Sequence, residues 1–266
     1  MTTHSKRLGT ACFFAISLGL TPAMAEAPMG FAGTLGGDYT RTTCDGCGNN
    51  NAWGGQGSAA FGFSPQFGAE VDGSYHRLSS TGSDVDLWSI GGSGFFDFGQ
   101  GRVGGTVNYD SFSGSGFSGH VTTYGGFGEF YAADLFTIAA KGGGLSASAG
   151  AFGGGASATG GYVSGAVLFY PIPDVNLTGA IDYVDISGGH ITSYGVSGEW
   201  MVSEMVPVTI VGGYTHHDIS GGFSADTWRI GLKIYTDGNG VTLVDKHRNG
   251  TLGWVGDASL GTRLAF

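Results

Sequence analysis

The sequence has few charges, few cysteines and no long apolar run beyond its N-terminus, and each shortage excludes a class of protein. Charged residues make up 12% of the chain, with 11 basic against 21 acidic side chains. A chain this acidic is a poor partner for nucleic acid or for an anionic surface. After residue 25 no run of about 18 apolar residues occurs, so the sequence predicts no membrane-spanning helix. Glycine is abundant instead, at 54 residues without a Gly-X-Y period, which argues against collagen and against long helices.

The N-terminus has the features of a secretory signal peptide. Lys6 and Arg7 form a basic region, residues 8–20 are mostly apolar, and a small-x-small cleavage site ends at Ala25. The apolar run is too short and too interrupted for a membrane anchor, which needs about 20 residues. We therefore predict that residues 1–25 are a signal peptide and that the mature chain lies outside the cytoplasm.

Two cysteines, Cys44 and Cys47, remain in the mature chain, in the segment TCDGCGNNN. A CxxC pair can be a redox centre, half of a zinc site or a short disulfide loop. No second CxxC and no βαβ pattern supports the first two. In an oxidising compartment we expect a small disulfide ring, and we expect neither a metal nor a cofactor.

Apolar and polar residues alternate along the whole mature chain, as they do in amphipathic β-strands. In FGAEVDGSYHR, for example, Phe67, Val71 and Tyr75 alternate with Glu70 and Asp72. We identify twelve such segments of about 10 to 14 residues, longer than most strands of soluble sheets but sufficient to cross a bilayer. They span approximately residues 30–40, 52–63, 66–77, 85–98, 101–112, 120–131, 135–145, 160–170, 174–185, 191–201, 207–218 and 223–235.

The connections between these strands alternate in length. The odd-numbered connections are long and rich in Gly, Ser and Asn, such as SASAGAFGGGASATG, whereas the even-numbered ones are tight, such as SPQ and PIPD. Outer-membrane barrels have this asymmetry, with long outer loops and short periplasmic turns. We therefore predict an all-β fold over residues 26–236: a closed, up-and-down antiparallel transmembrane β-barrel of about twelve strands.

Two segments do not fit the pattern. The fourth strand changes parity, because Val85 and Leu87 do not share a face with Trp88, and a β-bulge would explain the change. Residues 237–266 end on Phe266, as closing strands often do, but a thirteenth strand would leave the chain ends on opposite sides. We predict that 237–266 form a C-terminal periplasmic tail, with a closing strand as the alternative.

The signal peptide, the strand pattern and the segments GAEVDGSY, GGTVNY, LTGAIDY and VTIVGGYT resemble the small outer-membrane β-barrel and porin-like proteins of Gram-negative bacteria. The likeness covers residues 29–236 and is one of pattern, without a catalytic signature. It implies a location in the outer membrane, with lipid around the barrel and small hydrophilic solutes or ions inside it. Nucleic acid is not an expected partner, and the oligomeric state is left open.

Polar positions of the strands should face the lumen of such a barrel. The predicted pore-lining residues are Asp38, Glu70, Asp72, Arg102, Asp110, Glu129, Lys141, Asp182, Glu199, Arg229 and Lys233. Acidic groups outnumber basic ones among them, which favours cations or neutral solutes in a narrow channel. Inward glycines such as Gly68 and Gly104 predict open space between the wall side chains. The predicted function is a passive porin-like channel with a mild cation preference.

Two other functions stay open from the sequence. The inward charges could pair and fill the lumen, which would make the protein a structural or adhesive barrel. A hydrolase is the second alternative, because His216-His217-Asp218, with Asp84 and Asp86, loosely resembles an omptin-like site. Adjacent residues of a strand face opposite sides, so only one of the two histidines can point inward. We therefore expect no catalytic residues and no enzymatic activity.

Overall fold

Twelve antiparallel strands form a closed barrel in a computed structural model of the chain. The structure describes residues 30–45, 48–80, 83–151, 154–203, 207–236 and 242–255. The strands are β1 (Gly30–Cys44), β2 (Gly48–Gly62), β3 (Phe67–Ser80), β4 (Ser83–Asp97), β5 (Gly101–Gly114), β6 (Phe117–Ala132), β7 (Phe136–Ala151), β8 (Gly154–Ile172), β9 (Val175–Ile186), β10 (Gly189–Ser203), β11 (Val208–Ile219) and β12 (Phe223–Tyr235). Each strand pairs with its neighbours in sequence, and β1 pairs with β12. The predicted fold class and strand number are confirmed, while the predicted signal peptide lies outside the described residues.

Both ends of the barrel chain lie on the same side, as an even strand number requires. We call the side where β1 begins and β12 ends the terminal end, and the opposite side the hairpin end. The ladder that closes the ring runs from Thr34↔Tyr235, near the terminal end, to Cys44↔Ala225 at the hairpin end. The sheet therefore has no free edge at which a further strand could add.

Most residues predicted as long outer loops continue the strands instead. The ladder between β7 and β8, for example, extends to Ala151↔Gly154. The connections β5–β6, β9–β10 and β11–β12, which the structure describes completely, are tight turns at the hairpin end and contain glycines with positive φ, such as Gly116 (86°) and Gly188 (101°). Residues with a Cβ rarely adopt this conformation, which tight hairpin turns require. The glycine-rich composition at this end therefore reflects extended hairpins.

The outward face of the barrel carries large apolar side chains. Val71, Ile90, Ile181 and Ile230 are each about half exposed around its middle. Exposed aromatic side chains form a band towards each end: Tyr39, Trp53, Tyr75, Trp88, Tyr194 and Trp228 at the hairpin end, and Phe31, Phe61, Phe67, Phe98, Phe130 and Trp200 at the terminal end. An apolar belt between two aromatic girdles is the surface that a lipid bilayer requires.

The predicted bulge in β4 is wrong. This strand pairs without a register shift in either of its two ladders. Leu87 is buried in the lumen, while Trp88 faces outward. Leu87 belongs to an inward cluster at the hairpin end, with Ala52, Leu78, Val85 and Phe112. The apolar pattern of the sequence shifts to the other parity here because this part of the lumen is itself apolar.

A short helix, α1 (Leu243–Asn249), follows the barrel. Its N-terminus has a capping box: the Thr242 hydroxyl accepts a hydrogen bond from the backbone N–H of Asp245, and the Asp245 carboxylate accepts one from the backbone N–H of Thr242. The segment TLVD encodes this cap. In the part of the chain that the structure describes, no helix is long and apolar enough to span a membrane.

Replacing an outward residue by lysine tests the position of the membrane belt. Ile230 is 60% exposed near the middle of β12. A lysine at the bilayer midplane costs such barrels about 2–4 kcal/mol, against about 0–1 kcal/mol near the interface. We expect Ile230→Lys to lower the free energy of unfolding in lipid vesicles by about 2–4 kcal/mol. Phe223→Lys, at the hairpin end of the same strand, should lower it by about 0–1 kcal/mol. Equal losses would contradict the assigned belt.

Candidate functional site in the barrel lumen

The predicted pore-lining residues lie on the inward side of their strands. Glu70, Arg102, Asp110, Glu129, Lys141 and Glu199 are buried, and Asp38, Asp72, Asp182, Arg229 and Lys233 are intermediate in exposure. The period-two alternation thus predicts the face of each residue. Whether these residues line a conducting pore remains a prediction, because their contacts decide how much open space they border.

Most of the inward cations are paired within the wall. Two ion pairs join neighbouring strands, Arg102 with Glu129 at 2.8 Å and Arg229 with Asp38 at 3.0 Å, and a third joins Lys233 of β12 with Glu199 of β10 across β11 at 3.3 Å. Arg102 and Glu129 are inaccessible to solvent or nearly so, whereas 36% of the Arg229 side chain is exposed. Charge pairing is therefore tightest at the terminal end of the lumen.

Residues 242–255, which we call the C-terminal plug, pack against the inward wall at the terminal end. The sequence predicts residues 237–266 as a tail outside the barrel. The described part of this segment instead contacts inward side chains of β3 to β8, β10 and β12. It adds no strand, because β1 and β12 already pair with each other and leave no edge.

Charged wall residues bind the backbone of the plug. Arg102 donates hydrogen bonds to the carbonyl oxygens of His247, at 2.6 Å, and Gly250, at 3.2 Å. The Glu70 carboxylate accepts a hydrogen bond from the backbone N–H of Leu252 at 2.6 Å. Two of the charges predicted to face a pore therefore hold a peptide segment.

Lysine, arginine and tyrosine side chains add contacts on other sides of the plug. Lys141 Nζ donates to the carbonyl oxygen of Trp254 at 3.2 Å and lies 4.7 Å from the centre of its indole ring. Arg248 is a residue of the plug, and it donates a hydrogen bond to the wall, to the carbonyl oxygen of Ala133 at 2.7 Å. The Tyr131 hydroxyl donates to the carbonyl oxygen of Arg248 at 3.3 Å. The plug is thus bound to strands and to the turn between β6 and β7.

His247 connects the plug to the charge network of the wall. Its ring nitrogens lie 3.0 Å from the hydroxyl oxygens of Tyr170 and Tyr235. Its Nε2 atom also lies 3.3 Å from Glu199, which pairs with Lys233. One side chain of the plug therefore meets β8, β10 and β12 at once.

Apolar contacts fill the space between these polar groups. Leu252 and Val255 are fully buried. They share a cluster with Phe95, Phe127, Ala139, Ala166, Leu168 and Tyr170 of the wall. The apolar part of the plug therefore has its own binding surface inside the barrel, formed by β4 and by β6 to β8.

The glycines of this region make room for aromatic rings. A Cβ at Gly68 would overlap the ring of Phe95, and a Cβ at Gly104 would lie 2.7 Å from the ring of Phe127. The prediction that inward glycines keep the lumen open is therefore wrong at these two positions. Their missing side chains allow the rings that contact the plug to turn inward.

A cavity of about 190 Å³ lies in the lumen beside the plug. Leu252, Gly253 and Trp254 of the plug border it, together with the charged groups of Asp72 and Lys233. Its wall is rich in hydroxyl and amide groups, from Thr34, Gln56, Ser58, Ser74, Ser89, Asn176, Thr178 and Ser197. The lumen thus contains a polar chamber bounded by the plug.

The residues of the hydrolase alternative are not brought together. His216 is on the outward side of β11, while His217 is buried inward, with its Nδ1 atom 2.8 Å from the Ser193 hydroxyl oxygen. Asp84 and Asp86 lie on β4, five strands away around the ring. Among the described residues, no group of three or more His, Cys, Asp or Glu side chains could hold a metal ion.

Cys44, at the hairpin end of β1, is part of a disulfide bond. Cys47 lies outside the described residues. Pairing between the two therefore remains a prediction.

Comparison with known proteins gives a fold and no family. No protein-family model matches the chain, and no curated protein is significantly similar to it. The translocator domain of autotransporter NalP from Neisseria meningitidis is 12% identical, with a TM-score of 0.53 over 77% of this chain and 88% of that one. The β domain of the Bordetella autotransporter BrkA is 10% identical, with a TM-score of 0.51 over 77% and 98%. The KdgM porin in complex with disordered oligogalacturonate is 12% identical, with a TM-score of 0.48 over 75% and 98%.

At these identities the likeness concerns the fold. The physical features of the chain agree with it: the ring is closed, its strands are long enough to cross a bilayer, and its apolar belt lies between aromatic girdles. The chain therefore has the closed, antiparallel barrel fold of these outer-membrane proteins, with an outward surface suited to lipid.

Proposed function

We propose that the barrel is a passive channel for ions and small hydrophilic solutes, with a mild cation preference. The observation that supports this function is the polar chamber in the lumen, on which charged, hydroxyl and amide side chains converge from both sides of the ring. Desolvating such groups costs free energy unless they are paired or hydrated. A barrel that served only as an anchor would be more stable with an apolar, filled interior at this level.

The cation preference follows from the sum of the wall charges. Pairing does not change that sum, and carboxylates still outnumber cations among the inward residues. The plug adds Lys246 and Arg248 against Asp245, which reduces the acidic excess without cancelling it. In a bore a few ångströms wide, every wall charge lies within the Debye length of about 8 Å at physiological salt.

Reversal potentials of the purified full chain in planar bilayers test this proposal. We expect a small conductance with K⁺ more permeant than Cl⁻. Asp72 borders the chamber, so Asp72→Asn should lower the K⁺ to Cl⁻ permeability ratio about twofold. This estimate places the removed charge about 8 Å from the permeating ion in water, where screening over one Debye length reduces about 0.5 kcal/mol to about 0.2 kcal/mol. The change has opposite sign for K⁺ and Cl⁻, so their permeability ratio responds to about 0.4 kcal/mol.

Asp218→Asn is the matched control, because it removes the same charge from an outward side chain that is 58% exposed at the hairpin end. It should leave the ratio unchanged. Anion preference of the unmodified chain, or equal effects of the two variants, would contradict the proposed role of the lumen charges.

A structural barrel with a filled lumen is the second candidate function. The buried Arg102–Glu129 pair favours it, because the pair and the plug together fill the terminal end. A protein of this kind would fold stably and give no conductance at any voltage. The same bilayer recordings therefore separate the two candidates.

Removing one partner of this pair measures how much it contributes to stability. Arg102→Met should lower the free energy of unfolding by about 3–5 kcal/mol, because Glu129 would stay buried without its partner. Arg102→Met combined with Glu129→Gln should recover a large part of the loss in the same denaturant titration. If the double variant is as unstable as the single one, the loss of stability comes from the missing hydrogen bonds of Arg102 to the plug, not from the unpaired Glu129.

A further inference from the structure

We infer that the terminal end of the lumen is a binding site for a peptide segment, and that the C-terminal plug is its reversible, autoinhibitory occupant. The inference rests on the proposed channel function and adds its regulation. Four features of the described residues support it: the pattern of backbone contacts, the apolar anchors, the pairing of the wall charges and the loose packing beside α1.

The wall binds the backbone of the plug at several positions after α1, where the chain bends and makes a turn from Leu252 to Val255. After α1 the wall contacts alternate residues of the plug: the carbonyl of Gly250, the N–H of Leu252 and the carbonyl of Trp254. The partners, Arg102, Glu70 and Lys141, come from three different strands. In peptide binding, main-chain hydrogen bonds supply affinity and side-chain pockets supply specificity.

The specificity comes from two apolar anchors. Leu252 and Val255 are fully buried against wall side chains that include Phe95 and Phe127. Gly68, which has no side chain, leaves space for the ring of Phe95. A peptide with apolar side chains at these two positions fits the site, whereas a charged residue there would be desolvated without a partner.

Two ion pairs of the wall are made between wall residues alone. Arg102 pairs with Glu129 at 2.8 Å, and Glu199 pairs with Lys233 at 3.3 Å. Departure of the plug therefore does not leave these buried charges without a counter-ion. This arrangement distinguishes a removable occupant from a segment on which the wall depends for its charge balance.

The outer side of α1 is loosely packed. A cavity of about 340 Å³ lies between the helix and two turns of the terminal end, and Asp134, Pro173, Asp245 and Asn249 are among the residues that border it. Beside the cavity, the backbone N–H of Val244 donates to the carbonyl oxygen of Pro173 at 3.1 Å. A few hydrogen bonds thus hold the helix to these turns, and open space lies beside them. Because no residue of the plug belongs to the sheet, its release breaks no ladder of the barrel.

Cleavage of the folded full chain tests the inference. A protease site introduced at residues 237–241 would let the plug be cut from the barrel after folding, in detergent. We expect dilution to release the cut segment, as detected by mass spectrometry, and the conductance in planar bilayers to rise at least twofold. The chain without the site, treated with the same protease, is the control and should keep its original conductance.

A synthetic peptide of residues 242–255 should then restore the original conductance when added on the terminal side of the bilayer. The same peptide with Leu252→Asp should not. In the uncut full chain, Leu252→Asp should raise the conductance, whereas Phe223→Asp, which places the same charge on an exposed side chain at the hairpin end, should leave it unchanged.

The outcomes separate the inference from the function on which it rests. If the uncut chain conducts and loss of the segment changes nothing, the plug does not inhibit the channel. If the cut segment stays bound after dilution, its binding is not reversible. If neither the cut nor the uncut protein conducts, the proposed channel function fails, and autoinhibition fails with it.

Discussion

Inside a bilayer every backbone N–H and C=O group must find its partner within the protein, and the rest of this structure depends on that requirement. The ladder between β1 and β12 meets it by closing the ring. Closure assigns one face of every strand to lipid and the other to the lumen. It also leaves no edge for a thirteenth strand, so the segment after β12 must either leave the barrel or bind inside it.

The plug is bound inside because the lumen of a twelve-stranded barrel is narrow and carries charge. Inward groups such as Glu70 and Lys141 have little water around them, and the backbone of the plug supplies hydrogen-bond partners to both. Leu252 supplies the apolar surface that the inward phenylalanine rings require. The same side chains that a sequence pattern assigns to a pore thus form a site for a peptide. Whether the barrel conducts therefore depends on whether the plug can leave the lumen.

Periodicity was sufficient to predict the faces of the strands and the closed ring. Glu70 and Ile230 lie on the faces that alternation assigns to them, because a period of two is a property of the extended backbone itself. Periodicity does not report what fills the lumen. Arg102 contacts the carbonyl of His247 across 145 residues of sequence, and a backbone acceptor leaves no trace in residue type. The capping box in TLVD was the available signal, since it predicts a helix where we expected a tail.

Composition was informative but ambiguous in other places. Glycine-rich segments were assigned to loops, yet Gly116 and Gly188 provide the positive φ of tight hairpin turns. Glycine inside the barrel was assigned to open space, yet Gly68 accommodates the ring of Phe95. In both cases the sequence shows that a side chain is missing, but only the structure shows whether a tight turn or a neighbouring ring uses the space. Leu87 is a similar case: its inward position is explained by its contact with Ala52 in an apolar cluster of the lumen.

The most direct test of the plugged barrel is an NMR measurement on the full chain in lipid nanodiscs, with methyl-labelled leucine and protonated phenylalanine. We expect nuclear Overhauser contacts between the methyl groups of Leu252 and the rings of Phe95 and Phe127, with Leu252→Met used to assign the signal. Sharp, random-coil resonances for residues 242–255, without contacts to either ring, would contradict the position of the plug in the lumen.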